Sequence, residues 1–238
     1  MELFAHRGAS AYAPENTLPA FRKALELGAR GIELDVQLTS DGVPVVFHDF
    51  FLDKKTNSSG LVRKLSWKEI SALDAGSWFS NEYKGTRIPT LEEVLEIVPR
   101  DVCLNIEIKA LSLFKEPIAR KVCDIMAADA ERDYMISSFN HQSLKEVQEL
   151  DNNVRIGILT SSHMLNVVDY VESSGLKPYS LNPEASYLTN EYVADAHRKG
   201  WKVLSYVVNS PEMAEIVAQT GIDGIFSDYP DLEIPASV

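Results

Sequence analysis

Residues 31–36, Gly31-Ile32-Glu33-Leu34-Asp35-Val36, set two carboxylates inside a run that otherwise reads as a buried strand. Side chains alternate faces along a strand, so Glu33 and Asp35 share one side while Ile32, Leu34 and Val36 share the other. Burying two carboxylates side by side costs several kcal/mol unless a cation or a hydrogen-bonding partner compensates. The stretch therefore admits two readings: a metal site, or an edge strand whose polar face lies in water.

Outward from this stretch, strands and helices alternate. Residues 3–6 read as a short buried strand, followed by the loop Arg7-Gly8-Ala9-Ser10. Thr17 is a suitable N-cap for a helix over 18–27, with Pro19 in the first turn and Gly28 as its stop. After residue 36 the turn Ser40-Asp41-Gly42 leads into an apolar arm, 44–47, that ends at His48-Asp49. From Phe51 to about Ile88 the alternation stops; Ser66 could cap a helix through Leu73, and Trp67, Trp78, Phe79 and Tyr83 stand among polar residues and glycines. A connection of this length reads as an inserted lobe over a binding site, although most of its aromatics suffice to pack a small core of their own.

Beyond Pro89 the pattern predicts strands over 102–108, 134–137, 155–159, 179–181, 202–208 and 222–227, and helices over 90–98, 114–128, 142–150, 164–173, 190–199 and 211–220. With 44–47 taken as the second arm of a hairpin, there are eight strand-helix units, the eighth helix being at most one turn within 228–238. Such alternation points to an α/β chain folded as a closed (β/α)8 TIM barrel, with a small inserted lobe at about 51–88 between the second and third barrel strands. One domain over 1–238 is expected, with an open sheet as the other arrangement the pattern admits. No Gly-rich dinucleotide or Walker pattern competes.

The formal net charge of -12 argues against a nucleic-acid or anionic-membrane binder, because phosphate backbones are held by clustered Lys and Arg. A small anionic substrate stays compatible, since a local cation reverses the field within one cleft. Cys103 and Cys123 lack metal or redox spacing and read as reduced, buried thiols. With no signal-peptide pattern and no apolar run approaching the roughly 18 residues of a membrane span, a soluble cytoplasmic protein is expected.

In a barrel, chemistry sits at the carboxyl ends of the strands. Those ends carry His6-Arg7, Glu33 and Asp35, His48-Asp49, Glu107 and Lys109, residues 137–141, residues 160–163, Asn182, Asn209 and Asp228, a more polar set than the strand starts. Glu33, Asp35 and Glu107 are carboxylates within apolar strands, and an all-oxygen set suits Mg²⁺, Ca²⁺ or Mn²⁺ rather than zinc. His6 and His48 each end a strand before a polar loop. Singly each is more often structural; together, beside three carboxylates, they suggest a general acid and base.

The chain resembles the glycerophosphodiester phosphodiesterases. The matching pieces are His6-Arg7-Gly8, Pro14-Glu15-Asn16-Thr17, Glu33-Leu34-Asp35-Val36, Asp41-Gly42, residues 46–49, Ile88-Pro89-Thr90-Leu91-Glu92-Glu93, residues 104–109, Ser138-Phe139 and Gly221-Ile222-Asp223-Gly224-Ile225 with Asp228 and Pro230. Leu52-Asp53, Thr56-Asn57 and Leu73-Asp74-Ala75-Gly76 are similar to that family's small insertion. The resemblance implies a barrel related to the phosphatidylinositol-cleaving phospholipases C. Its reaction would be hydrolysis of glycerophosphodiesters, such as glycerophosphocholine and glycerophosphoethanolamine, to sn-glycerol 3-phosphate and an alcohol, in glycerophospholipid and glycerol metabolism.

Carried over by position, Glu33, Asp35 and Glu107 would hold one divalent cation, Mg²⁺ or Ca²⁺ with Mn²⁺ as a further option. His6 and His48 would be the acid and base, Arg7 and Lys109 would bind phosphate, and Phe139 and Trp78 are the aromatics expected nearest the glycerol. Glu15 is expected to brace the loop carrying His6, and Asp49 to orient His48 or cap its loop. Lys54 or Lys55, where the family often has Arg, and Tyr206, where it often has Trp, bear on the pocket wall rather than the catalytic set. The attacking group is water or the glycerol 2-hydroxyl. A non-catalytic phosphoester-binding barrel and a phospholipase with another headgroup are the competing readings. The expected partner is a small glycerophosphodiester, with no nucleic acid and no stable membrane association, and with the oligomeric state unspecified.

Overall fold

A computed structural model describes residues 1–234; the 235–238 end of the expected domain and final turn lies outside them. Nine strands form one sheet: β1 (Glu2–Ala5), β2 (Gly31–Leu38), β3 (Pro44–Val46), β4 (Cys103–Ile108), β5 (Tyr134–Ser138), β6 (Ile156–Thr160), β7 (Ser180–Pro183), β8 (Lys202–Ser205) and β9 (Gly224–Ser227). Their order is β1-β9-β8-β7-β6-β5-β4-β2-β3, and β1 also pairs with β2 through Phe4↔Gly31 and Ala5↔Ile32. That last pairing closes eight parallel strands into a TIM barrel and excludes the open sheet. β3 stays outside it, antiparallel to β2 with Val36 opposite Val46. Its reversal is local: Thr39 Oγ1 donates to Asp41 and accepts from the Val43 N–H, while Gly42 takes a φ of 78°.

Eight α-helices accompany the strands: α1 (Leu18–Glu26), α2 (Trp67–Ile70), α3 (Leu91–Ile97), α4 (Ile118–Ala128), α5 (His141–Leu150), α6 (Val167–Ser174), α7 (Asn190–Arg198) and α8 (Pro211–Ala218). Thr17 caps α1, and Thr90 with Glu93 forms a capping box on α3. α4 begins later than its sequence pattern predicts. Pro117 occupies its N-cap, which disfavours helix just upstream, and Phe114 instead lies 3.7 Å from the Arg63 guanidinium. Among the described residues no helix follows β9, and none is long and apolar enough to cross a membrane.

The strand alternation sorts the core. Ile32, Leu34, Val36, Leu104, Ile106 and Ile108 face outward and pack with helix residues such as Phe21, Val94 and Val122 in one large cluster. Inside, Phe4, Met135, Leu204 and Phe226 make a separate apolar cluster. Between β3 and α3 the chain forms the inserted lobe, with Leu52, Val62, Ile70, Ala75 and Ile88 packed on Val45 and Phe47. Each fully buried Leu, Ile or Val there contributes about 1.5–3 kcal/mol, which holds a segment that has little regular structure. Asp74 closes the lobe, its carboxylate accepting from the backbone N–H groups of Gly76, Ser77 and Gly85 and from the Ser77 hydroxyl.

Candidate active site

β2 and β4 run in parallel register, with Glu33 beside Asn105 and Asp35 beside Glu107, so the three carboxylates project into the barrel from adjacent strands. One oxygen of each lies within 4.8 Å of the others. Glu33 is 3 % exposed and Asp35 0 %, which rules out the solvated edge strand. Glu33 Oε1, Asp35 Oδ1 and Glu107 Oε1 are buried without a well-directed hydrogen bond. Lys109 Nζ stands 2.5 Å from Glu107 Oε1 and 3.3 Å from Asp35 Oδ1.

Arg7 completes the charged cluster from the β1 side. Its backbone N–H donates to Glu33 Oε2 at 2.9 Å, its Nη1 donates to Glu15 at 2.9 Å, and its Nε lies 3.3 Å from Asp35 Oδ2. Arg7 adopts a left-handed φ of 56°, a strained conformation for a residue with a Cβ. The next residue must be glycine: at Gly8, φ is 79° and a Cβ would sit 2.8 Å from the Ala20 carbonyl carbon. Asn16, also left-handed at 57°, clamps Asp35 from both sides. Its Nδ2 donates to Asp35 Oδ2 at 2.7 Å and its Oδ1 accepts the Asp35 N–H at 3.2 Å.

Three carboxylates faced by two cations titrate unequally. Burial, then the neighbouring Asp35 and Glu107, push Glu33 well above the usual carboxylate range. Burial and Asp35 push Glu107 up to about 7 against the pull of Lys109. Burial also acts to raise Asp35, but Lys109 and Arg7 outweigh it and hold Asp35 below the usual range.

Each histidine is pinned through Nδ1. His6 Nδ1 donates to Asp228 Oδ1 at 2.6 Å, and His48 Nδ1 donates to Asp49 Oδ1 at 2.7 Å; a carboxylate only accepts, so each Nδ1 carries the proton. Asp228 also accepts from Ser10 Oγ and Asn209 Nδ2, and these bonds with His6 outweigh burial and hold its pKa at about 2. Burial lowers the pKa of His48 despite the opposing field of Asp35. The backbone carrying His48 is gripped by Gln37, whose Nε2 donates to the carbonyls of Phe47 at 2.7 Å, Asp49 at 2.9 Å and His48 at 3.3 Å.

His6, Arg7, Glu33, His48, Glu107, Lys109 and Phe139 line one cavity of about 170 Å³. Asp35 adjoins it, within reach of Glu33 and Glu107. Phe139 is 42 % exposed and meets Tyr206 edge-on at 5.8 Å. Trp78, expected near the glycerol, is not on the cavity wall. Its ring lies 4.3 Å from Lys55 Nζ, and Lys55 pairs with the same Glu15 that holds Arg7. His141, His163 and His197 are not on that wall either, and His141 is engaged with Tyr170 and the Leu159 carbonyl. The grip of Gln37 has a faint sequence signal, a third polar residue in phase with Glu33 and Asp35. Asn16 has none beyond its place in a family motif.

A TIM barrel with buried carboxylates, two cations and two histidines at the carboxyl ends of its strands has the layout of a barrel enzyme. Residues 6–232 match the Glycerophosphoryl diester phosphodiesterase family. The chain is 40 % identical over 231 residues to a glycerophosphodiester phosphodiesterase of Caldanaerobacter subterraneus subsp. tengcongensis, covering 96 % of this chain and 94 % of that one. A glycerophosphodiester phosphodiesterase of Bacillus altitudinis is 38 % identical over 234 residues, covering 97 % and 95 %. Among solved structures, an Oleispira antarctica phosphodiesterase in complex with the product sn-glycerol-3-phosphate superposes with a TM-score of 0.88 at 31 % identity, covering 97 % of this chain and 94 % of that one. The chain belongs to the glycerophosphoryl diester phosphodiesterase family, and its activity is that of a glycerophosphodiester phosphodiesterase.

Proposed function

We propose that the protein hydrolyses glycerophosphodiesters such as glycerophosphocholine and glycerophosphoethanolamine to sn-glycerol 3-phosphate and an alcohol, with one divalent cation and with His6 and His48 as its proton carriers. The observation that carries this reading is the trio of buried carboxylates within 4.8 Å of one another, each with one oxygen that lacks a well-directed hydrogen bond. An all-oxygen set of this kind fits Mg²⁺ or Ca²⁺, with Mn²⁺ also accommodated. Charge supports it too. With a divalent ion holding all three carboxylates ionised, Glu33, Asp35 and Glu107 against Arg7, Lys109 and the ion would leave one net positive charge, matched to the single negative charge of a phosphodiester. When bound, the ion supplies charge neutralisation at a nonbridging phosphate oxygen.

The chain's own groups do the rest. Arg7 and Lys109 bind the phosphate, and Phe139 packs against the glycerol. With Nδ1 of each imidazole held by Asp228 or Asp49, Nε2 is the free nitrogen. One Nε2 accepts a proton from the attacking water, or from the glycerol 2-hydroxyl with water then opening the cyclic phosphate, and the other gives a proton to the leaving alkoxide, work that typically contributes about 10² to 10⁴ fold per group. We further propose that residues 1–238 act as one domain, on a small soluble substrate and without stable membrane association, in the glycerophospholipid and glycerol metabolism of the cytoplasm. Two free cysteines suit that reducing compartment.

The test is release of glycerol 3-phosphate from glycerophosphocholine by His6→Ala and His48→Ala. Each is expected to lose at least about 10²-fold in kcat with an unchanged circular-dichroism spectrum. Retention of most activity by either variant overturns the acid and base assignment.

A further inference from the structure

We propose that Ser137 is a specificity-determining residue that hydrogen-bonds the terminal hydroxyl of the glycerol, the one farthest from the phosphate. This rests on the reaction proposed above. Ser137 sits on β5 between Glu107 of β4 and Gly157 of β6, and so faces the barrel interior on the same side as the carboxylates. It is 0 % exposed, and its Oγ has no hydrogen-bond partner. A buried hydroxyl without a partner is costly, and serines ordinarily find a carbonyl. The adjacent Ser138, on the outward face, does so: its Oγ donates to the Ile108 carbonyl at 2.7 Å.

Beside Ser137 on β4, the Glu107 carboxylate is turned to Lys109 Nζ at 2.5 Å and makes no hydrogen bond to the serine. Gly157 has no side chain, and a Cβ there would already meet Asn182 Nδ2 at 2.9 Å. On the other side, Asn105 lies one inward step deeper along β4, a displacement of about 6.6 Å, and its buried Oδ1 is likewise without a partner. Ser137 and Asn105 line the cavity of about 170 Å³ that also holds Glu33, Glu107 and Lys109, with Leu159 and Phe226 in the same wall. Away from the charged groups, Ser137 Oγ and Asn105 Oδ1 stand without partners beside apolar carbon, which matches a short polyol, whose hydroxyls and methylenes need those two surfaces. The phosphate end is claimed by Arg7 and Lys109 and the 2-hydroxyl lies next to it, so the terminal hydroxyl is the group with reach to Ser137.

The experiment compares glycerophosphocholine with 2-hydroxypropyl phosphocholine, which keeps the 2-hydroxyl and lacks only the terminal one, using wild-type protein and Ser137→Ala. Wild type is expected to favour glycerophosphocholine by about 10- to 100-fold in kcat/KM, because the deoxy substrate leaves buried polar atoms unpaired. Ser137→Ala is expected to lose about tenfold on glycerophosphocholine and less than about twofold on the deoxy substrate. Equal losses on both substrates, or no loss on either, overturn the proposal. Should Ser137→Ala fold poorly, the wild-type ratio decides alone: a ratio near one overturns it. Failure of the underlying reaction is distinguishable, since wild type would then release no glycerol 3-phosphate from glycerophosphocholine at all.

Discussion

Glu33→Gln is expected to abolish turnover and yet stabilise the protein when no divalent cation is present. Glu33 Oε2 accepts the Arg7 N–H at 2.9 Å, and the amide oxygen of glutamine keeps that bond. Glu33 Oε1, now buried without a hydrogen bond, would be replaced by an amide NH₂ facing the carboxylates of Asp35 and Glu107, whose ligand oxygens lie within 4.8 Å. Without a cation, burial and the carboxylates of Asp35 and Glu107 push Glu33 well above the usual carboxylate range, so folding at neutral pH carries the cost of protonating it, and glutamine removes that cost. Its relief is worth about 1–3 kcal/mol. For a chain of this size that raises the melting temperature by about 2–10 °C in chelator. Wild type should show the opposite dependence, gaining about 2.7 kcal/mol when Mg²⁺ or Ca²⁺ is present at 100 times its Kd, while Glu33→Gln gains far less. Differential scanning calorimetry in chelator and in each cation reads both effects. A Glu33→Gln protein that melts below wild type in chelator would refute the reasoning.

Asp228→Asn keeps the shape of the group that orients His6 but removes its anion; kcat for glycerophosphocholine is expected to fall about 10- to 100-fold with KM changed less than about threefold, and a parallel rise in KM would point to substrate binding instead. Asp74→Asn tests the lobe. The Ser77 hydroxyl and the N–H groups of Ser77, Gly76 and Gly85 hold Asp74 below the usual carboxylate range. A depressed folded-state pKa contributes stability that is present above the unfolded value of about 3.9 and is lost as pH falls through the folded one. Asp74→Asn should therefore cost about 1 kcal/mol near pH 7, a modest amount because the group is partly in water, with the gap to wild type closing below about pH 3; thermal melts over that range check the sign.

The barrel was legible because its signals are local. Glu33 and Asp35 in phase within an apolar run, the Asp41-Gly42 reversal, and strand-helix alternation after Pro89 all lie within a few residues of the elements they specify. The positions of His6, His48, Glu107 and Lys109 at strand ends follow from barrel geometry once the strands are placed. What the sequence conceals is who holds them. Asp228 reaches His6 across 222 residues, and Asn16 grips Asp35 across 19, contacts that only closure of β1 against β2 and β9 creates. Trp78 shows the limit for the inserted lobe: its sequence marks an aromatic there, and only the fold shows that its ring packs against Lys55. Ser137 carries no signal at all in sequence, since its significance is a missing partner.

In the reaction proposed above, turnover depends on a cation held by Glu33, Asp35 and Glu107. This dependence is tested most directly by the rate of glycerol 3-phosphate formation from glycerophosphocholine, first in excess chelator and then after Mg²⁺ or Ca²⁺ is restored. Chelation is expected to reduce the rate at least about 10²-fold, and restored cation to recover it. An unchanged rate in excess chelator would contradict it.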